Sequence, residues 1–178
     1  MRLFPFLLAA LIFLSCGEAG RQARRRFPSA GSSSDPTLHL DRDDPELRQI
    51  AEKARDTLPV FIRRLQSPLE GDGNFRIKYP FRTEAGSVFG REQLWLENIG
   101  FKDGAYHGTL ANTPFYVPAL KAGDTVTFEI DGITDWMYTS RGTIIGGRSI
   151  KYLLDQIPEH ERDNEQRGVL AMFESRAP

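Results

Sequence analysis

The chain has 178 residues, 40% of them hydrophobic and 26% charged, with a formal net charge of -1. This is the composition of one globular domain, and the lack of a basic excess argues against nucleic acid as a partner. A single cysteine excludes an intrachain disulfide, and it excludes a cysteine-based zinc or redox site in the folded part.

That cysteine stands where an export signal would end. Arg2 supplies a short positive start, and Leu3 to Leu14 is an apolar run broken only by Pro5. The run is too short for a bilayer span, which takes about 20 residues. Phe13-Leu14-Ser15-Cys16 reads as a lipobox, so residues 1–16 are expected to be a lipoprotein signal with Cys16 lipidated as the first mature residue. The alternative is a plain secretory signal with a coincidental cysteine. A lipid anchor implies the membrane as a partner and places the chain in the cell envelope, on its periplasmic or cell-surface side. Residues 17–42 have no hydrophobic period. They carry Arg21, Arg24, Arg25 and Arg26 and the run Ser29-Ala30-Gly31-Ser32-Ser33-Ser34, a tether composition. These arginines either meet anionic head groups or form a solvated spacer.

A helix is expected from about Asp44, capped by Asp43 or Asp44, with Pro45 in its first turn. Leu47, Ile50, Ala51, Ala54, Leu58, Phe61, Ile62 and Leu65 form its apolar face. Pro59 should kink or split it after Thr57 or Leu58. The period then changes to two. Phe75, Ile77, Tyr79 and Phe81 alternate with polar residues, and Pro80 places this strand at an edge or a bulge. A second strand runs through Leu94 to Ile99, and Asp103-Gly104 turns into a third, Ala105 to Leu110. Gly123-Asp124 leads to a fourth with Val126, Phe128 and Ile130. Asp131-Gly132 reads as a hairpin into Ile133 to Tyr138. Ser149 is expected to cap a short helix bearing Ile150, Leu153 and Leu154. The predicted class is α+β: an N-terminal helix packed on a four- to five-stranded antiparallel meander, with a short closing helix, over residues 43–157. Residues 158–178 are charged, with Val169, Leu170, Met172 and Phe173 as a late apolar cluster, and read as a helix or a tail.

From about Ala51 to Leu154 the chain resembles the YegJ-like family, a bacterial domain of unknown function (family 2314). The resemblance is carried by Ala54-Arg55, Phe61, Lys78, Glu92, Leu94-Trp95-Leu96, Gly108-Thr109-Leu110 and Asn112-Thr113-Pro114. It continues through Lys121-Ala122-Gly123-Asp124-Thr125-Val126, Ile133-Thr134-Asp135-Trp136-Met137-Tyr138, Gly146-Gly147 and Ile150. It implies an α+β fold and an envelope or cytoplasmic setting. It implies no reaction, ligand or catalytic set.

Several groups of residues could carry function. Asp135 and Trp136 could form a binding wall, the carboxylate fixing a polar group of a ligand. Equally, Trp136 could fill the core while Asp135 accepts bonds from turn N–H groups. Phe115 and Tyr116 lie in a loop stiffened by Pro114 and Pro118 and could be recognition anchors. One ring could instead pack inward as a lid on the sheet. His107 beside Glu97 or Asp135 could act as a general base, although strand parity turns it toward solvent. His39 and His160 lie outside the sheet, so no histidine cluster suggests a metal. Glu92, Glu97 and Lys78 could line a polar patch or serve solubility. Gly146-Gly147-Arg148-Ser149 could hold an anion or be a glycine turn. No Gly-x-Ser-x-Gly, His-Glu-x-x-His or Walker motif occurs, and no cofactor is implied. The expected function is therefore a non-enzymatic module binding a protein or peptide of the envelope, with an immunity or inhibitor protein as one subtype. The rival is a small periplasmic hydrolase using Asp135 and His107.

Overall fold

Asp44 starts the first helix. Its carboxylate accepts the N–H of Glu46 at 2.8 Å and of Leu47 at 3.4 Å, satisfying amides that have no partner inside the helix. In the computed structural model, which describes residues 44–87 and 89–174, α1 spans Pro45–Asp56 and α2 spans Leu58–Gln66. The expected signal, Cys16 and the tether lie outside the described residues. Pro59 divides the two helices as its missing N–H requires. Ile50, Ala51 and Ala54 of α1 and Leu58 and Phe61 of α2 are buried.

Asp44 also accepts the Tyr152 hydroxyl at 2.8 Å. That bond, with the two amides and Arg48, holds its carboxyl below the ordinary value of 3.8. A depressed carboxyl contributes stability above its unfolded value, and the contribution is lost as pH falls through the folded value. Acid unfolding followed by circular dichroism should therefore be shallower below pH 3.8 in Asp44→Asn than in the unchanged chain.

Six strands follow: β1 Asp72–Arg82, β2 Arg91–Lys102, β3 Ala105–Leu110, β4 Thr125–Phe128, β5 Asp135–Ser140 and β6 Thr143–Gly146. They form one antiparallel sheet in the order β4-β3-β2-β1-β5-β6. The sheet is thus larger than the expected four to five strands. The missed strand is β6, joined to β5 by Arg141-Gly142, both at positive φ (48° and 86°), as a tight two-residue hairpin requires. Asp103-Gly104, with φ of 53° and 81°, turns β2 into β3 as predicted.

Two expectations about the sheet are corrected. Asp131-Gly132 is not a hairpin. Ile130–Gly132 is a single 3-10 turn, from which the chain crosses from the outer strand β4 to β5 on the far side of β1. Gly132 is needed for space instead, because a Cβ there would lie 2.9 Å from the Tyr79 ring. Pro80 does not put β1 at an edge, since β1 is central. Its pairing with β5 extends only to Lys78–Asp135, however, while Pro80 pairs with Gln93 on the β2 side. Beyond Lys78, β1 is a local edge that tolerates a residue lacking N–H.

The sheet is covered on both faces. On one, Ile77, Leu94, Leu96, Trp136 and Tyr138 pack with Ala54, Leu58 and Phe61 of α1 and α2. On the other, Trp95, Met137 and Ile144 pack with Ile150, Val169, Met172 and Phe173. These last four belong to α3 Arg148–Asp155 and α4 Asn164–Glu174. Closure therefore takes two helices rather than one, and the late apolar cluster is the docked face of α4. No described helix is long and apolar enough to cross a membrane.

Candidate functional site: the clamped aromatic loop and the buried carboxylate of β5

The link from β3 to β4, residues 111–124, is tied to the sheet by polar groups buried under it. The Asn112 side-chain oxygen accepts the Trp95 N–H at 2.9 Å, and the Ala111 N–H donates to the Trp95 carbonyl at 2.8 Å. Glu92 is 7% exposed. Its two oxygens accept the backbone N–H of Phe115 at 2.7 Å and of Tyr116 at 2.8 Å. The Tyr116 carbonyl accepts the Glu84 N–H at 3.2 Å, and the Tyr116 ring lies 5.0 Å from that of Phe89. One ring of the pair thus packs against the β1–β2 link. The other, Phe115, is 59% exposed.

Sequence reasoning placed Glu92 in a polar patch and missed it as the clamp of this loop. The signal that could have found it is strand parity, which sets Glu92 on the same face as the buried Leu94 and Leu96. Charge-assisted bonds to backbone amides are among the stronger ones. Glu92→Ala should cost about 1–3 kcal/mol. Amide exchange at Phe115 and Tyr116 should accelerate well beyond that of the β2 amides, as hydrogen–deuterium exchange would show.

Asp135 is fully buried, at 0% exposure. One oxygen accepts the Trp136 N–H at 2.8 Å. The other accepts both the N–H and the hydroxyl of Ser149, at 2.7 and 2.8 Å. Lys78, 4% exposed, sits opposite it on β1, with its ammonium 3.4 Å from the Ser149 hydroxyl and 5.4 Å from the centre of the Trp95 ring. Burial pushes the Asp135 carboxyl above its ordinary range, against the lowering effect of the Ser149 bonds, Lys78 and the Trp136 amide. Ser149 is therefore not the cap of α3. Gly147 occupies the cap position at φ 62° without a side-chain bond, and Asp135 satisfies the helix amide from the neighbouring strand. The anion at this glycine turn is thus the chain's own carboxylate.

Trp136, 2% exposed, lies in the core between Phe61 and Tyr138, and its indole N–H donates to the Ala54 carbonyl at 2.9 Å. Arg148 lies over its ring at 5.1 Å. His107 is not brought to Asp135. It sits on β3, three strands from β5, or about 14 Å at the usual strand spacing. It rests against Gly100, where a Cβ would meet its ring at 2.6 Å. Glu97 pairs with Arg76 at 2.9 Å and not with His107. Among the described residues no three His, Cys, Asp or Glu side chains converge on a metal position.

The chain is 30% identical over 139 residues to the uncharacterized protein YegJ of Escherichia coli, an overlap of 77% of this chain and 87% of YegJ. It is 29% identical over 129 residues to a putative ankyrin repeat protein of Neisseria meningitidis serogroup B. That match takes in 70% of this chain and 51% of the relative, so the chain spans about half of that protein's length. No solved structure matches it. Residues 44–169, from the cap of α1 into α4, match the family described as an uncharacterized protein conserved in bacteria, and the chain belongs to that family, DUF2314.

Proposed function

We propose that this domain is a non-enzymatic recognition module, held to the envelope membrane through a lipid on Cys16. In this reading it presents the 111–120 loop to a protein or peptide partner. One observation carries it. Phe115 is an exposed aromatic ring on a backbone already fixed by the Glu92 carboxylate. A ring presented in this way loses little entropy on binding, and aromatic anchors dominate interface energies. Tyr116 and Phe89 form the wall beside it, while Asp135 and Trp136, both buried, hold α3 and the core in place. An immunity or inhibitor role is the narrower form of this reading.

The test is a crosslinking capture from the native envelope, using the full chain beside a Phe115→Ala/Tyr116→Ala variant. The expected result is one protein captured by the normal chain, lost with the variant, and binding again when purified. Equal capture by both baits would overturn the role of the loop. Cys16→Ala should release the chain from the membrane fraction, and retention there would overturn the anchor.

A further inference from the structure

The arm formed by β1 and β2 ends in two arginines. In the register of these strands Arg82 stands directly opposite Arg91, and both are exposed. The next pair outward is hydrogen-bonded, the Thr83 N–H donating to the Gly90 carbonyl at 3.2 Å. Bonded and non-bonded pairs alternate along an antiparallel ladder, so Arg82 and Arg91 form a non-bonded pair, the kind in which side chains come closest. Like charges set directly opposite each other are destabilising. Elsewhere on these strands the charges are balanced, Arg76 of β1 pairing with Glu97 of β2 at 2.9 Å. Neither Arg82 nor Arg91 makes a salt bridge or a side-chain hydrogen bond among the described residues.

The two arginines adjoin the clamped loop. Arg91 precedes Glu92, whose oxygens hold the Phe115 and Tyr116 amides. Arg82 stands two residues before Glu84, whose N–H donates to the Tyr116 carbonyl. These links place the Cα atoms of Arg91 and Phe115 within about 12 Å of each other. An extended peptide of about four residues spans that distance. Residues 111–120 carry no charge, and Glu84 is the single acid of the 83–90 link. The Glu92 carboxylate is buried and already engaged by two amides. The surface around Phe115 therefore sets two guanidiniums against one exposed carboxylate.

We propose that Phe115, Arg82 and Arg91 together take an acidic peptide segment, in which a carboxylate bridges the two arginines and a neighbouring apolar side chain covers the Phe115 ring. This rests on the recognition role of the 111–120 loop and names the chemistry of its partner. A carboxylate between two guanidiniums relieves their repulsion and makes charge-assisted bonds with both. A lipid head-group surface fits less well, because such surfaces are met by clusters of about four to eight basic residues.

Panning the purified full chain against a phage-displayed library of random hexapeptides tests this. Asp or Glu next to an apolar residue should be enriched, and binding of the selected peptide, made synthetically, should weaken severalfold as salt is raised. Arg82→Gln/Arg91→Gln should weaken that peptide by about tenfold or more, and Phe115→Ala should weaken it as well. Arg82→Glu/Arg91→Glu, panned afresh, should select Lys or Arg in place of the acid. Arg91→Glu alone should raise the Tm of the free chain, since it sets opposite charges face to face, and yet lose the acidic peptide, which separates binding from folding. Selected peptides without an acid, lost with Phe115→Ala but unmoved by the arginine changes, would overturn the acidic partner and leave the recognition role of the loop standing. Acidic peptides indifferent to Phe115→Ala, or no enrichment at all, would overturn both. Binding to phosphatidylglycerol vesicles through Arg82 and Arg91, with no acidic peptide selected, would overturn the peptide in favour of a lipid surface.

Discussion

Asp135→Ala should destabilise the fold by about 3–5 kcal/mol, the cost of breaking a buried pair so that one charge is left without its counterpart. The carboxylate is fully buried and accepts three hydrogen bonds, and its removal takes a facing negative charge away from the Lys78 ammonium, itself 4% exposed. It also uncaps α3, because no other side chain bonds the helix start at Gly147. Urea unfolding would measure the loss. A cycle with Lys78→Met separates the two contributions. Removing both charges should cost less than the sum of the single changes, since the double variant leaves no unpaired ion. A strictly additive cycle would mean that Lys78 and Asp135 do not act as a pair. Asp135→Asn should fall in between, because one amide oxygen can still accept from one side while the NH2 group faces a donor on the other.

Gly146→Ala is expected to cost about 3–5 kcal/mol, combining left-handed strain with overpacking. Gly146 has a φ of 80°, and a Cβ on it would lie 2.2 Å from the Trp136 carbonyl oxygen and 2.6 Å from the Trp136 ring. That carbonyl also accepts the Gly147 N–H at 2.8 Å, so it cannot retreat without breaking the junction of β6 with α3. Gly142→Ala is the matched control. Its φ is 86°, yet nothing lies within 4 Å of the added methyl, so only the conformational cost of about 1–2 kcal/mol remains. The difference in Tm between the two variants isolates the close approach of backbone to Trp136. Similar losses in both would show that φ alone sets the requirement for glycine here.

Local patterns carried most of the element assignments. Apolar spacing located α1 and α2, Pro59 marked their boundary, and Asp103-Gly104 marked the β2–β3 turn. Partner choice between distant segments was not legible. Asp131-Gly132 has the composition of a hairpin, and nothing nearby states that β5 pairs with β1 rather than β4. β6 is four residues long and ends in a glycine, too short to display a period. The polar residues were hardest to place. Glu92 and Asp135 each bond amides far along the chain, 23 residues away at Phe115 and 14 at Ser149. A sequence motif has no fixed spacing for such contacts. Phe115 and Tyr116 were legible as a pair, but which ring would face outward depended on Phe89, which belongs to another link.

The central place of β1 has a consequence for the chain during its synthesis. β1 is complete by Arg82, and β2 can pair with it at once, but its other side waits for β5, which begins at Asp135. A nascent chain, or a truncated one ending before that point, holds an eleven-residue strand with one naked side that includes Phe75 and Ile77. Long apolar edges of this kind recruit other chains. Fragments that stop short of β5 should therefore collect in inclusion bodies, whereas those that include the Arg141-Gly142 hairpin should remain in solution. The segment from Asp135 onward would then serve as an intramolecular guard for the first strand.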